Sequence, residues 1–198
     1  MAKNYKSFTG LKGFYYKASG GSGVASVSAE AIKYLQEISV SKEQSIEKAY
    51  GDNVVAEMAV TNGTVELSAT FHKLPIEDRS VLFGLKVHEN GAVAIGNNTP
   101  PDVAVMFAKT MEDGSAEYVG LPRGKFTFPE TSGATKQDSV EFGQDQATGE
   151  LMQAPVVGFD EEQTMIMGHD EAGSNVMRDF IYKAVFGEAH PEATPPEL

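Results

Sequence analysis

Val54 to Lys86 reads VVAEMAVTNGTVELSATFHKLPIEDRSVLFGLK, and the fold of the chain is decided by how this stretch is taken. Its first half alternates apolar and polar residues, the period of a strand with one wet face. At its centre stands Asn62-Gly63, the dipeptide best suited to the positive φ angles of a type I′ turn. A turn there predicts a hairpin in which Val60 faces Val65, Met58 faces Leu67, Ala56 faces Ala69 and Val54 faces Phe71. Val54, Met58, Leu67 and Phe71 then belong to the core side. Glu57 and Glu66, with Ser68 and Thr70, belong to the wet side. Beyond Phe71 the period changes. Pro75 suits a helix start, Glu77 and Asp78 suit the positive end of the helix dipole, and Val81, Leu82 and Leu85 share a face with Leu74, so the spacing predicts a helix over 75–86.

Outward from this stretch the chain reads as β. A second hairpin is expected at Asp113-Gly114, joining Val103–Ala108 to Ala116–Phe128, and the apolar run Val103–Ala108 has so few polar breaks that both its faces should be buried. Further strands are expected over 32–38, 45–50, 93–95, 156–159 and 164–167. Val176–Phe186 carries apolar residues at helical spacing, but its aromatic and β-branched content favours a closing strand. The fold class is therefore mainly β: an antiparallel two-sheet sandwich or barrel with one flanking helix. Residues 1–186 form one domain, with an N-terminal arm over 1–17 and mobile loops over 18–29 and 131–149. Residues 187–198, with three prolines and little to bury, read as a flexible tail.

Composition narrows the function. Twenty-eight acidic residues against 16 basic ones leave a formal net charge of -12, which opposes tight nucleic-acid binding through phosphate neutralisation. The absence of cysteine excludes disulfides, thiolate metal sites and cysteine nucleophiles. No apolar run approaches the roughly 20 residues of a membrane helix, and residues 1–17 are too polar for a signal peptide, so no membrane association is expected. The four histidines, His72, His88, His169 and His190, match no metal-binding spacing, and His169-Asp170-Glu171 sits beside glycines in an expected turn. Gly20, Gly21 and Gly23 are followed by no Lys-Ser/Thr pair that would make a phosphate loop. No cofactor, metal or catalytic residue is assigned, and an enzyme is not expected.

Four segments, taken in order, resemble the major tail tube protein family of long-tailed, non-contractile bacteriophages: KNYKSFTGLKGFYY (3–16), AIKYLQEISVSKEQSIEKAYGDN (31–53), FHKLPIEDRSVLFGL (71–85) and KFTFPETSGATKQDSVEF (125–142). The resemblance spans most of residues 3–186. It implies a structural virion protein, made in the host cytoplasm, that self-assembles into hexameric rings stacked as a tail tube and conducts DNA into the host. Its implied partners are further copies of itself, a tape measure protein in the lumen, tail terminator and distal tail proteins, and double-stranded DNA that passes without specific binding. Under that reading an acidic wall repels phosphate, and Glu57 and Glu66 are the residues expected to line the lumen. A ring-forming secretion-tube protein and a carbohydrate-binding or adhesin sandwich are the alternatives, the latter with Tyr15, Tyr16 or Tyr118 as sugar-stacking candidates.

Overall fold

The computed structural model describes residues 5–20, 25–130 and 142–193. Ten strands and two helices follow one another as β1 (Phe8–Ser19), β2 (Glu30–Ile32), β3 (Leu35–Gly51), β4 (Val54–Phe71), α1 (Ile76–Leu82), β5 (Lys86–Val87), β6 (Val93–Ala94), β7 (Asp102–Met111), β8 (Ala116–Thr127), β9 (Asp145–Leu151), β10 (Ile166–Asp170) and α2 (Val176–Phe186). All the pairings are antiparallel. An eight-stranded sheet runs β2-β1-β7-β8-β9-β4-β3, with β10 beside the first half of β8, and β5 pairs with β6 in a small second sheet. The mainly β class read from the sequence is the observed one.

The large sheet rolls over on itself. Phe14 on β1 and Phe71 on β4 lie far apart in the strand order, yet their rings meet edge-on with centroids 5.0 Å apart. Between the two halves lies the main core, which includes Leu67, Val105, Leu121, Phe126 and Ala147. β7 is buried on both faces, as its unbroken apolar run requires, because Val103, Val105 and Phe107 enter this core while Met106 enters a second one. The β7–β8 hairpin turns at Asp113-Gly114, where the Asp113 carboxylate accepts the Ser115 N–H. Helix α1 closes one end of the core with Leu82, helped by Leu74, Phe83 and Leu85. It is fastened by Arg79, which pairs with Asp145 and donates to the Leu74 carbonyl, and by the Tyr16 hydroxyl, which donates to Asp78 at 2.7 Å. Burial, and then the bond to Asp78, push the Tyr16 phenol well above its ordinary pKa, so it stays a donor.

Several sequence expectations are corrected. Asn62-Gly63 is not a turn: β4 runs through it, and the hairpin reverses ten residues earlier at Asp52-Asn53, with φ of 50° and 66°. Both central residues of a type I′ turn need positive φ, and Asp and Asn tolerate it better than other side-chain-bearing residues. Gly63 instead sits in a β-bulge opposite Glu43, where an added Cβ would stand 2.8 Å from the Glu43 Cβ. Close approach, not turning, is what this glycine serves. The register moves with it: Val60 faces Ile46, Met58 faces Lys48 and Leu67 faces Val40. Leu67 and Phe71 are fully buried, but Val54 and Met58 are 63% and 64% exposed, because the core ends at Val65 while the two strands run on.

The second correction is Val176–Phe186, which is a helix. Ile181, Tyr182 and Phe186 fall on one face and pack with Met106, Val156 and Ile166 in the second core. A distant acid starts the helix, since Asp170 accepts the N–H groups of Met177 and Arg178, and Gly187 in the left-handed conformation ends it. The helix lies flush because Gly120 and Gly168 leave the sheet bare beneath it. A Cβ at Gly120 would fall 2.6 Å from Val185.

The third concerns the segments read as mobile. Residues 145–149 of the expected loop belong to β9, and residues 131–141 lie outside the described residues. Residues 187–193 are packed rather than free: His190 is buried against the rings of Tyr15 and Tyr182, Glu192 pairs with Arg178, and Glu188 accepts the Ala29 N–H and faces Lys17. The strand expected at 156–159 is a turn beside the short Ala154–Gln163 bridge, and 32–38 divides into β2 and β3 at Tyr34, whose φ is 64°.

Candidate assembly surface

β9 accompanies β4 only from Phe71 to Val65. From there to the turn, β3 and β4 continue as a bare two-stranded ribbon, pairing Lys42 with Val65 and Gly51 with Val54 at its limits. About ten residues per strand carry this arm roughly 30 Å beyond the sheet. An isolated ribbon of this kind is marginal in water, because one layer of side chains cannot bury itself. The arm therefore calls for a partner.

Its two faces differ sharply. Cross-strand partners share a face, and the hydrogen bond from Gln44 to Asn62, at 2.8 Å, ties one such pair. The face that continues the core side carries Lys42, Gln44, Ile46, Lys48 and Tyr50 from β3 and Asn62, Val60, Met58 and Val55 from β4. Ile46, Tyr50, Met58 and Val60 are exposed there. It holds apolar residues and two lysines, and no acid. The opposite face carries Glu43, Ser45 and Glu47, with Glu57 opposite Ala49 and Glu66 opposite Ser41.

The bulge decides this segregation. Glu57 and Glu66 stand an odd number of positions apart, so a regular strand would point them in opposite directions. The extra residue at 63–64 shifts the alternation by one, and both fall on the acidic face. That face runs on across the sheet as a polar surface. Glu66 neighbours Glu150, Ser68 neighbours Thr148, and Thr70 neighbours Gln146 on β9. Two carboxylates directly opposite one another repel and gain nothing for the fold. Lys125, the neighbour of Glu150 on β8, is drawn away to Asp102 and the Pro100 carbonyl. Among the described residues no ion pair forms with Glu57, Glu66 or Glu150, and the surface keeps its negative charge.

Among the described residues no three His, Asp or Glu side chains gather where a metal could sit, and no helix is long and apolar enough to cross a membrane. His169, Asp170 and Glu171 all border an open groove, but the Asp170 carboxylate is buried and held by the N–H groups at the start of α2. Of the tyrosines weighed as sugar platforms, Tyr16 is buried in the core and Tyr15 lies edge-on to Tyr182 and His190. The arm was missed by sequence reasoning, and the signal for it lay in Gly51-Asp52-Asn53, a turn sequence overshadowed by the stronger Asn62-Gly63.

No curated protein matches the sequence significantly. A protein family described as phage tail tube protein matches residues 12–193, which takes in the arm, both helices and every strand but the first four residues of β1. The chain, with its long two-faced ribbon and its acidic polar sheet, belongs to the phage tail tube protein family.

Proposed function

We propose that the protein is the repeating subunit of a phage tail tube, in which hexameric rings stack around a channel that conducts double-stranded DNA into the host. The observation that carries this reading is the arm: its apolar face has no cover among the described residues, and its acidic face prolongs the polar surface of β4 and β9. Copies arranged side by side would bury the first and join the second into a wall. On that wall Glu57 and Glu66, with Glu150, would recur in every subunit and every ring. Such a wall repels phosphate, and repulsion acts across a screening length of about 8 Å at physiological salt, so DNA slides without adhering. The tape measure protein would occupy the same lumen before DNA does, and tail terminator and distal tail proteins would cap the two ends. The role is structural, located in the virion tail, and needs no catalysis.

Electron microscopy of the purified protein, alone and with its tail partners, tests the reading. Hollow tubes with six-fold rings are expected. Dispersed single subunits under every assembly condition would overturn it.

A further inference from the structure

The apolar face of the arm needs a cover, and an open groove among the described residues is suited to give it. The groove measures about 780 Å³ and lies between the N-terminal segment, β10 and the start of α2. Phe8, Met111, Val176 and Met177 line it; Lys6 and Glu117 on its wall are paired with Asp113 and Lys109, and Glu171 stands on it as an exposed acid. Phe8 and Val176 are 47% and 67% exposed, large apolar side chains left in water beside a concave surface.

Groove and arm are complementary in polarity and charge. One is a groove with four apolar side chains and the exposed carboxylate of Glu171. The other is a convex ribbon whose apolar face bears Lys42 and Lys48 without any acid. In a chain of net charge -12, contact between two arbitrary surfaces sets acid against acid, so a basic apolar face is an uncommon asset. The two surfaces also lie on different parts of the subunit, so contact between copies is heterologous. A heterologous contact propagates from copy to copy and closes into a ring or winds into a filament, according to the rotation it imposes.

We propose that the arm of one copy docks in the Phe8–Val176 groove of a second copy, with Ile46, Met58 and Val60 on the groove's apolar lining and Lys48 against Glu171. This rests on the tube reading and names the contact that joins its subunits.

The chain has no cysteine, so engineered thiols report without background. Met58→Cys combined with Val176→Cys, treated with a short bis-maleimide after assembly, should give a ladder of covalent oligomers on a denaturing gel. Each single variant should remain monomeric. Met58→Cys with Ile95→Cys, a pair equally exposed in the subunit, is the control. Tubes that form without a ladder, or a ladder of equal strength from the control, would overturn the docking while leaving the tube intact. Absence of tubes from the unmodified protein would remove the tube reading and the docking together. Should the thiol pair impair assembly, charge exchange decides: Lys48→Glu should raise the protein concentration needed for assembly by roughly fivefold, and adding Glu171→Lys should restore it. Failure of restoration also overturns the docking.

Discussion

Leu67 and Met58 lie on the same strand and on the same side of the ribbon, yet replacing each with alanine should have unequal effects on the free subunit. Leu67 is fully buried between the two halves of the rolled sheet, among the side chains of the main core. Its truncation removes the transfer free energy of three carbons and leaves a cavity in a site held on both sides by strands, which together cost about 3 to 4 kcal/mol. A domain of this kind has a total stability of about 5–15 kcal/mol, so this is a large fraction of it. Met58 is 64% exposed, so folding hides only about a third of a side chain worth about 2 kcal/mol when fully buried, and its truncation should cost about 0.5 to 1 kcal/mol. Urea unfolding followed by circular dichroism, at concentrations too low for assembly, measures both. The order should reverse in the assembled state, where Met58→Ala should weaken tubes of otherwise folded subunits. Equal losses for the two variants in the free subunit would refute the reasoning, because they would mean that the arm folds back onto its own core.

Three further outcomes are expected. Asn53→Val should cost about 1 to 2 kcal/mol, because a β-branched residue is strained at φ 66°, whereas Asn62→Val should cost less than half as much; thermal melts of the two variants check the position of the turn. Burial, and then the nearby Arg178 guanidinium, hold His190 below its ordinary pKa of 6.5, so the unfolded chain binds more protons than the folded one as pH falls below that value. The stability it contributes is present above pH 6.5 and is lost on acidification, and His190→Gln should flatten the decline between melting temperatures at pH 7.5 and pH 5. Glu57→Lys with Glu66→Lys should leave tail morphology intact but slow DNA release from the phage at low salt, and unimpaired release would place both glutamates away from the lumen.

The sequence made the β class, the α1 helix, the β7–β8 hairpin and the doubly buried β7 legible, because each rests on local periodicity or on a turn dipeptide with no strong rival. It misled where two turn signals competed. Asn62-Gly63 has the better intrinsic turn chemistry, but pairing β3 with β4 over their whole lengths requires the reversal at Asp52-Asn53. Tertiary pairing overrode local preference, and exposure of Val54 and Met58 followed. The α2 helix was obscured for a related reason. Its β-branched and aromatic residues suit a strand, and what makes it a helix is remote: Asp170 at its start and the bare patches at Gly120 and Gly168 beneath it. The packing of 187–193 depends on His190 meeting Tyr15 and Tyr182, contacts across the chain that no local composition reveals. The candidate lumen acids could be named from sequence, but the bulge that sets them on one face could not.

The bulge at Gly63 also makes the arm a counting device. Each strand of the ribbon keeps its oily and acidic stripes apart only while the count of residues between core and tip stays in step, and β4 carries two added beats against β3 along the arm, one at 63–64 and one at Ala56 near the tip. Loss of a single residue at 63–64 would exchange the stripes along the rest of β4, setting Met58 and Val60 among the glutamates of β3 and Glu57 among its lysines. Substitutions along the arm alter one contact each, whereas this deletion would rewrite every contact beyond it. Adding or removing residues in whole steps of two on both strands at once would keep the stripes in place, so with the bulges fixed the length of the ribbon becomes a discrete quantity.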